Sequence, residues 1–320
     1  MKIIVFLLIF TSILSAQVAV SNLAEYQVGN LPNAEPGDLS TLFNQIILEY
    51  RQSPITVGLR LENFQSSIGE RSYNYFAQRY VEWRKGRIKV RLGNFNTTLG
   101  RGLVMRAFEL PNVVFEQRQF RRRYAYYRDI DGVLVQGTWS RFEFTVLHGQ
   151  PLNETLPPGF DDPRRSGIVQ GGQVKLHPVN WLMLGDAYLR AEVTHASLQK
   201  NEMNSLFGEI NLSKLLRQRG MKKSSLKLYA EHARSNSMAS EFFSAKENDD
   251  FATYLNLIFS YKKFGLSAEY KDYNNFENGV NVPPIGYMEH GYYLLNRSTH
   301  ELFPENENGW QIEATYRLLP

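Results

Sequence analysis

The sequence predicts an all-β protein, an antiparallel transmembrane β-barrel of about twelve strands or more. Three observations predict it. Short stretches alternate apolar and polar residues with the period of two that puts successive side chains on opposite faces of a strand. In Trp310-Gln311-Ile312-Glu313-Ala314-Thr315-Tyr316-Arg317-Leu318, one face suits hydrocarbon and the other suits water. Short and long connections take turns along the chain, as they do when tight turns on one side of a membrane oppose long loops on the other. Finally, no run after the first residues approaches the roughly 20 apolar residues that a spanning helix needs. The oily faces are therefore strand faces. In lipid every backbone N–H and C=O needs a protein partner, which argues for a sheet closed on itself.

The elements follow in order. Met1-Lys2, the apolar run from Ile3 to Leu14 and then Ser15-Ala16-Gln17 form a charged start, a short oily stretch and a small-residue cleavage site. Residues 1–16 thus read as a signal peptide. Residues 17–53 read as a polar periplasmic lead-in, in which Leu39 to Tyr50 suits either a short amphipathic helix or an early strand. The barrel is expected over 54–320. In its first strand Ile55, Val57, Leu59 and Leu61 share one face, while Thr56, Arg60 and Glu62 share the other. Tyr75 to Trp83 turns at Arg84-Lys85-Gly86 into Arg87 to Leu92, a strict alternation with cations on one side. Gly132 to Trp139 and Phe142 to His148 meet at Ser140-Arg141. Ile168 to Leu176 and Trp181 to Ala191 are joined by His177-Pro178-Val179-Asn180. Leu206 to Leu212 and Leu226 to His232 flank a stretch rich in Lys and Arg. Phe251 to Tyr261 and Phe264 to Tyr270 meet at Lys262-Lys263, and Trp310 to Leu318 comes last.

Between these, the stretches 65–73, 96–130, 149–166, 192–203, 233–249 and 272–308 read as long polar loops. A soluble β-sandwich also alternates along its strands, but does not sort its connections by length so consistently. Tyr (18) and Phe (20) are abundant enough to supply aromatic girdles at two interfaces. The chain ends Arg317-Leu318-Leu319-Pro320 without the terminal aromatic residue common in such barrels. That implies either an unusual assembly signal or a fragment of a larger barrel, and we expect the fragment.

The stretch from Arg91 to Arg106 (RLGNFNTTLGRGLVMR), followed by Asp129-Ile130-Asp131-Gly132-Val133, carries a resemblance. It resembles a Bacteroidetes-type group of outer-membrane β-barrel proteins that share an LGNFxTTxGRGL segment and a downstream DG strand start. The similarity is close over about 45 residues and architectural elsewhere. It implies a porin-like barrel in the cell outer membrane, with no established substrate and no catalytic residues.

The segment after Asn96 is the least loop-like of the long connections. Gly100-Arg101-Gly102 permits a tight backbone path or a positive φ. Leu103, Val104, Met105, Ala107 and Phe108 are apolar enough to pack against something. One reading folds the segment into the lumen as a constriction. Arg101, Arg106, Arg118, Arg121, Arg122, Arg123 and Arg128 would then line the pore and contact anions, since guanidinium forks match carboxylate and phosphate. The other reading makes Arg121 to Arg123 a solvated patch on lipopolysaccharide phosphates. Elsewhere Arg60, Lys89, Arg91 and Arg190 are expected to face Glu62, Glu143, Asp186, Glu192, Glu209, Glu231, Glu269 and Glu313 inside the barrel, mostly as a salt-bridge ladder.

Chemistry is not expected. The chain has no cysteine, its six histidines lie at no diagnostic spacing, and no Walker, dinucleotide, HExxH or calcium-loop pattern occurs. The expected function is passive, a porin-like channel for small hydrophilic solutes with anions favoured. The alternative is a closed structural or surface-interaction barrel of an envelope assembly. The expected partners are outer-membrane lipid and lipopolysaccharide, the barrel-assembly machinery and small solutes. Neither a cofactor, nor a metal, nor nucleic acid is expected.

Overall fold

The computed structural model describes residues 17–30, 38–67, 72–117, 122–151, 167–194, 198–221, 223–235, 250–276, 280 and 306–318. The expected signal peptide lies outside them. In chain order the strands are β1 (Gln17–Asn30), β2 (Asp38–Gln52), β3 (Ile55–Ser66), β4 (Tyr73–Lys85), β5 (Ile88–Phe95), β6 (Thr97–Leu99), β7 (Met105–Gln117), β8 (Arg122–Arg128), β9 (Ile130–Thr138) and β10 (Phe142–Pro151). They continue with β11 (Gly167–Val179), β12 (Leu182–Thr194), β13 (Leu198–Asn211), β14 (Ser224–Ser235), β15 (Phe251–Tyr261), β16 (Phe264–Asn274) and β17 (Glu307–Tyr316). A short helix, α1 (Ser213–Gln218), fills the basic connection between β13 and β14. Fourteen strands form one sheet in chain order, and β6, β7 and β8 make a separate small sheet within the step from β5 to β9.

All twelve expected strands are present, and two more precede them. Residues 17–53, expected as a lead-in, hold β1 and β2, paired from Gln17↔Arg51 to Asn30↔Asp38. Strand β2 pairs onward with β3 across a tight turn, Gln52↔Ile55. The consecutive Ile46-Ile47-Leu48 hides the period of two, because such a run fits a helical stripe equally well. The expected long loop at 192–203 is also absent. Strands β12 and β13 stay paired out to Thr194↔Leu198.

The chain divides into two compact units. One comprises Met1–Asn96, Phe108–Val135 and Gly149–Arg165, and the other Thr97–Ala107, Gln136–His148 and Ser166–Pro320. In the first unit the alternation of β3 resolves as expected. Val57 stays 39% exposed, while Arg60, Glu62 and Phe64 are buried on the opposite face. That inner face is a polar ladder. Arg60 Nη2 lies 2.5 Å from Glu109 Oε1, and Glu62 accepts from Gln45 (3.0 Å) and Tyr75 (3.3 Å). Gln78 and Asn94 both donate to Asp129 Oδ2, at 3.1 and 2.9 Å. Near the turn, Arg91 pairs with Glu82 at 2.6 Å and stacks over the Tyr80 ring at 4.1 Å.

In the second unit Leu184, Leu206, Leu228, Leu255, Tyr270, Trp310 and Ile312 are exposed on one face of β12–β17. Aromatic rings gather where the tight turns lie. Trp139 is 5.9 Å from Phe142 and 5.8 Å from Phe144, and Phe259 is 6.3 Å from Phe264. Outward apolar faces bounded by rings are what a strand meeting acyl chains requires. Leu92 in the first unit and Ile312 in the second are 52% and 60% exposed, which places neither in a protein core.

One expectation about this unit needs correcting. Arg190, Asp186 and Glu192 do not point inward. They share the face of the exposed Leu184 and Tyr188, whereas Ala187, Leu189 and Ala191 between them are buried. Arg190 pairs with Glu192 at 2.5 Å on that outward face. The alternating phase is clear in the sequence. Which phase faces in is fixed by Ala187 and Ala191, whose small side chains carry little hydrophobic signal.

Candidate functional site

The segment Thr97–Ala107 lies on the inner face of the second unit, and the wall beneath it is built to receive it. Inward residues of neighbouring strands fall into lateral rows through the register. One row runs Gln173↔Ala187↔Ser205↔Ala233↔Ala252↔Tyr273 from β11 to β16. Its four middle members are Ala or Ser, and all four are buried. Small side chains on four adjacent strands leave a trough. A buried trough has something lying in it.

What meets this wall is the turn between β6 and β7, at Gln173 in the row and at Glu231, two residues before Ala233. Thr97↔Ala107 and Leu99↔Met105 pair across it, and Gly102 N–H closes it on Leu99 O at 2.9 Å. Leu99, Leu103, Val104 and Met105 are fully buried. The turn needs its glycines, since Gly100 has φ +56° and Gly102 φ +101°, a region where a Cβ is strained. Space forbids a larger residue at 100 as well, because an added Cβ would stand 2.2 Å from Glu231 Oε1.

Two wall side chains hold the turn. Gln173 accepts from Gly100 N–H at 3.0 Å and donates to Thr98 O at 3.4 Å, as a neighbouring strand would. Glu231, only 1% exposed, accepts from Arg101 N–H at 2.7 Å. The same carboxylate takes Ser205 Oγ–H at 2.8 Å and Tyr229 O–H at 2.6 Å. Three donors thus meet this buried carboxyl group, which leaves its oxygens partnered. The Arg101 side chain turns elsewhere. Its guanidinium lies 4.5 Å over the Tyr229 ring and 3.8 Å from Glu209 Oε2. Arg106 N–H donates to Val280 O at 3.0 Å.

Of the seven expected arginines, Arg101 and Arg106 are therefore on the inward segment. Arg122, Arg123 and Arg128 lie in β8, whose backbone pairs with β7 through Gln117↔Arg122, Glu116↔Arg123 and Phe108↔Arg128. Their side chains, and Arg118 and Arg121 altogether, lie outside what the structure describes. Gln173, Ser205 and Tyr229 are contacts that no sequence pattern marks, and Glu231, expected as one acid of a ladder, also holds the turn. Their alignment depends on register across four strands, which no single stretch of sequence carries. Among the described residues no His, Asp and Glu group is arranged to hold a metal. Likewise no described helix is long and apolar enough to cross a membrane.

Comparison with solved structures identifies the architecture. The chain is similar to OpdO of Pseudomonas aeruginosa, with a TM-score of 0.56, 12% identity, and coverage of 94% of this chain and 75% of that one. It is also similar to OccK5 (OpdH) of the same organism, with a TM-score of 0.51, 10% identity, and coverage of 94% and 74%. OpdL, again at 0.51 and 12% identity, covers 94% and 76%. This chain spans only part of these structures, 74–76% of the three above and 57% of OccD3 (OpdP) of the same organism. No curated protein matches the sequence. A protein family described only as being of unknown function matches residues 20–319. The fold is that of the antiparallel β-barrels of these outer-membrane porins, and the outward belt of Leu, Ile and Trp is what such a fold turns toward hydrocarbon.

Proposed function

We propose a function for this chain as a member of the family to which it belongs, the family of unknown function DUF6029. The function is passage of small hydrophilic solutes through an outer-membrane channel, by diffusion and without chemistry. One observation carries this reading: the turn Leu99–Met105 is fastened by its backbone to Gln173 and Glu231 on the inner face, in a fold that porins use. A segment held across an inner wall narrows whatever space that wall encloses. Kinship with the Bacteroidetes-type group that carries the Leu92–Leu103 segment belongs to the same reading. So do contacts with lipopolysaccharide and the barrel-assembly machinery.

The anionic preference rests on the inward arginines. Arg101 presents its guanidinium rather than its backbone to the interior, which favours a role in contacting solutes. Its neighbour Glu209 shares that charge, so the preference is expected to be mild. A second reading, a closed structural barrel, draws support from the completely buried side chains of Leu103, Val104 and Met105, which fill space as a plug does.

Planar-bilayer recording separates the two. A channel gives discrete conductance steps, and Arg101→Glu with Arg106→Glu moves its reversal potential toward cations. A folded protein that passes no current supports the plug and removes the channel.

A further inference from the structure

Resting on the reading of Thr97–Ala107 as a constriction, we propose that Gln173 and Glu231 are its positioning residues. They clasp the segment at two points and so set how wide and how steady the passage is, whereas Arg101 sets which charge passes.

The argument starts from what each bond holds. Both clasps grip main-chain atoms: Gln173 meets Gly100 N–H and Thr98 O, and Glu231 meets Arg101 N–H. The grip is thus indifferent to the side chain at 101. Glu231 is itself held in place by Ser205 and Tyr229, on β13 and on its own strand. The carboxylate therefore cannot swing away with the segment when the segment moves. Gly100 completes the fit, because any Cβ there collides with the carboxylate. The row of Ala187, Ser205, Ala233 and Ala252 supplies the trough but little grip. Apolar burial alone would let the turn slide along it, and the two polar clasps at 173 and 231 fix its place.

Losing a hydrogen bond to this buried carboxyl group should shift a local opening equilibrium by about tenfold. The absence of native cysteine allows a clean test. Leu103→Cys, buried in the turn, is introduced into the full chain folded in lipid vesicles, and its modification by a water-soluble maleimide is timed. Adding Glu231→Ala is expected to speed labelling about tenfold or more, and Gln173→Ala on a different strand should do so less strongly. Arg101→Gln should change the rate much less than Glu231→Ala, because its backbone N–H remains and its ion pair with Glu209 is partly exposed.

Phe64→Cys, buried in the other unit, is the control. Equal acceleration there would mean general loosening and would overturn the proposal, as would unchanged labelling at 103 in both wall variants. If Glu231→Ala fails to fold, Gln173→Ala decides by the same criterion. Labelling needs no current, so a non-conducting protein would remove the channel reading and leave the clasp standing or falling on its own rates.

Discussion

Strands β12 to β16 face two ways, and the two faces solve burial by opposite means. Outward, Leu184, Leu228 and Leu255 are large, apolar and exposed, and hydrocarbon finishes their burial. Inward, Ala187, Ser205, Ala233 and Ala252 are small and already buried within the protein, beside the wall residues that grip the turn. The outer face tolerates many apolar shapes, since lipid conforms to any of them. The inner face tolerates few, since a defined turn must fit. Specific function is therefore expected to reside where side chains are smallest.

The largest effect that would sharpen this contrast is electrostatic. Leu255→Arg puts a charge on the outward belt and should cost about 2–4 kcal/mol, read from urea titration of folding into vesicles. A loss below about 0.5 kcal/mol would mean that residue 255 does not face the bilayer interior. Next comes overfilling of the trough. Ala233→Phe should cost about 1–3 kcal/mol and push the turn off the wall, seen as faster modification of a cysteine at position 103. Full stability with an unchanged rate would show the trough to be empty. Gly100→Ala is expected to cost about 1–2 kcal/mol, through its left-handed backbone and the collision with Glu231. The same urea titration should show no comparable loss for Gly29→Ala, where no atom lies within 4 Å of an added Cβ. The smallest effect belongs to Arg101→Gln. Its ion pair with Glu209 is partly exposed on both sides, so stability should move by less than about 1 kcal/mol while ion selectivity changes.

The outward face was the legible one. Val57, Leu92 and Ile312 announce it by alternation alone, because lipid asks only that every second residue be apolar. The first two strands were less legible, since Ile46-Ile47-Leu48 satisfies two periodicities at once. The phase of β12 is not legible at Arg190, where charged residues continue outward past the apolar part of the strand. The site was half legible. Gly100-Arg101-Gly102 marks a turn needing positive φ, and Leu103 to Met105 demand a covered surface. The surface itself was not readable, because Gln173 and Glu231 stand 73 and 130 residues from their backbone partners.

Those separations also order events in time. The turn at 100–102 is made early in the chain, yet both of its anchors come from strands that follow it. The wall from β11 to β14 has to assemble, with its register correct, before there is anything to dock on. Until then the alanine trough is wet and Leu103, Val104 and Met105 have no shelter. Seating the turn is thus a late event in maturation, one that expels solvent and completes the interior from within.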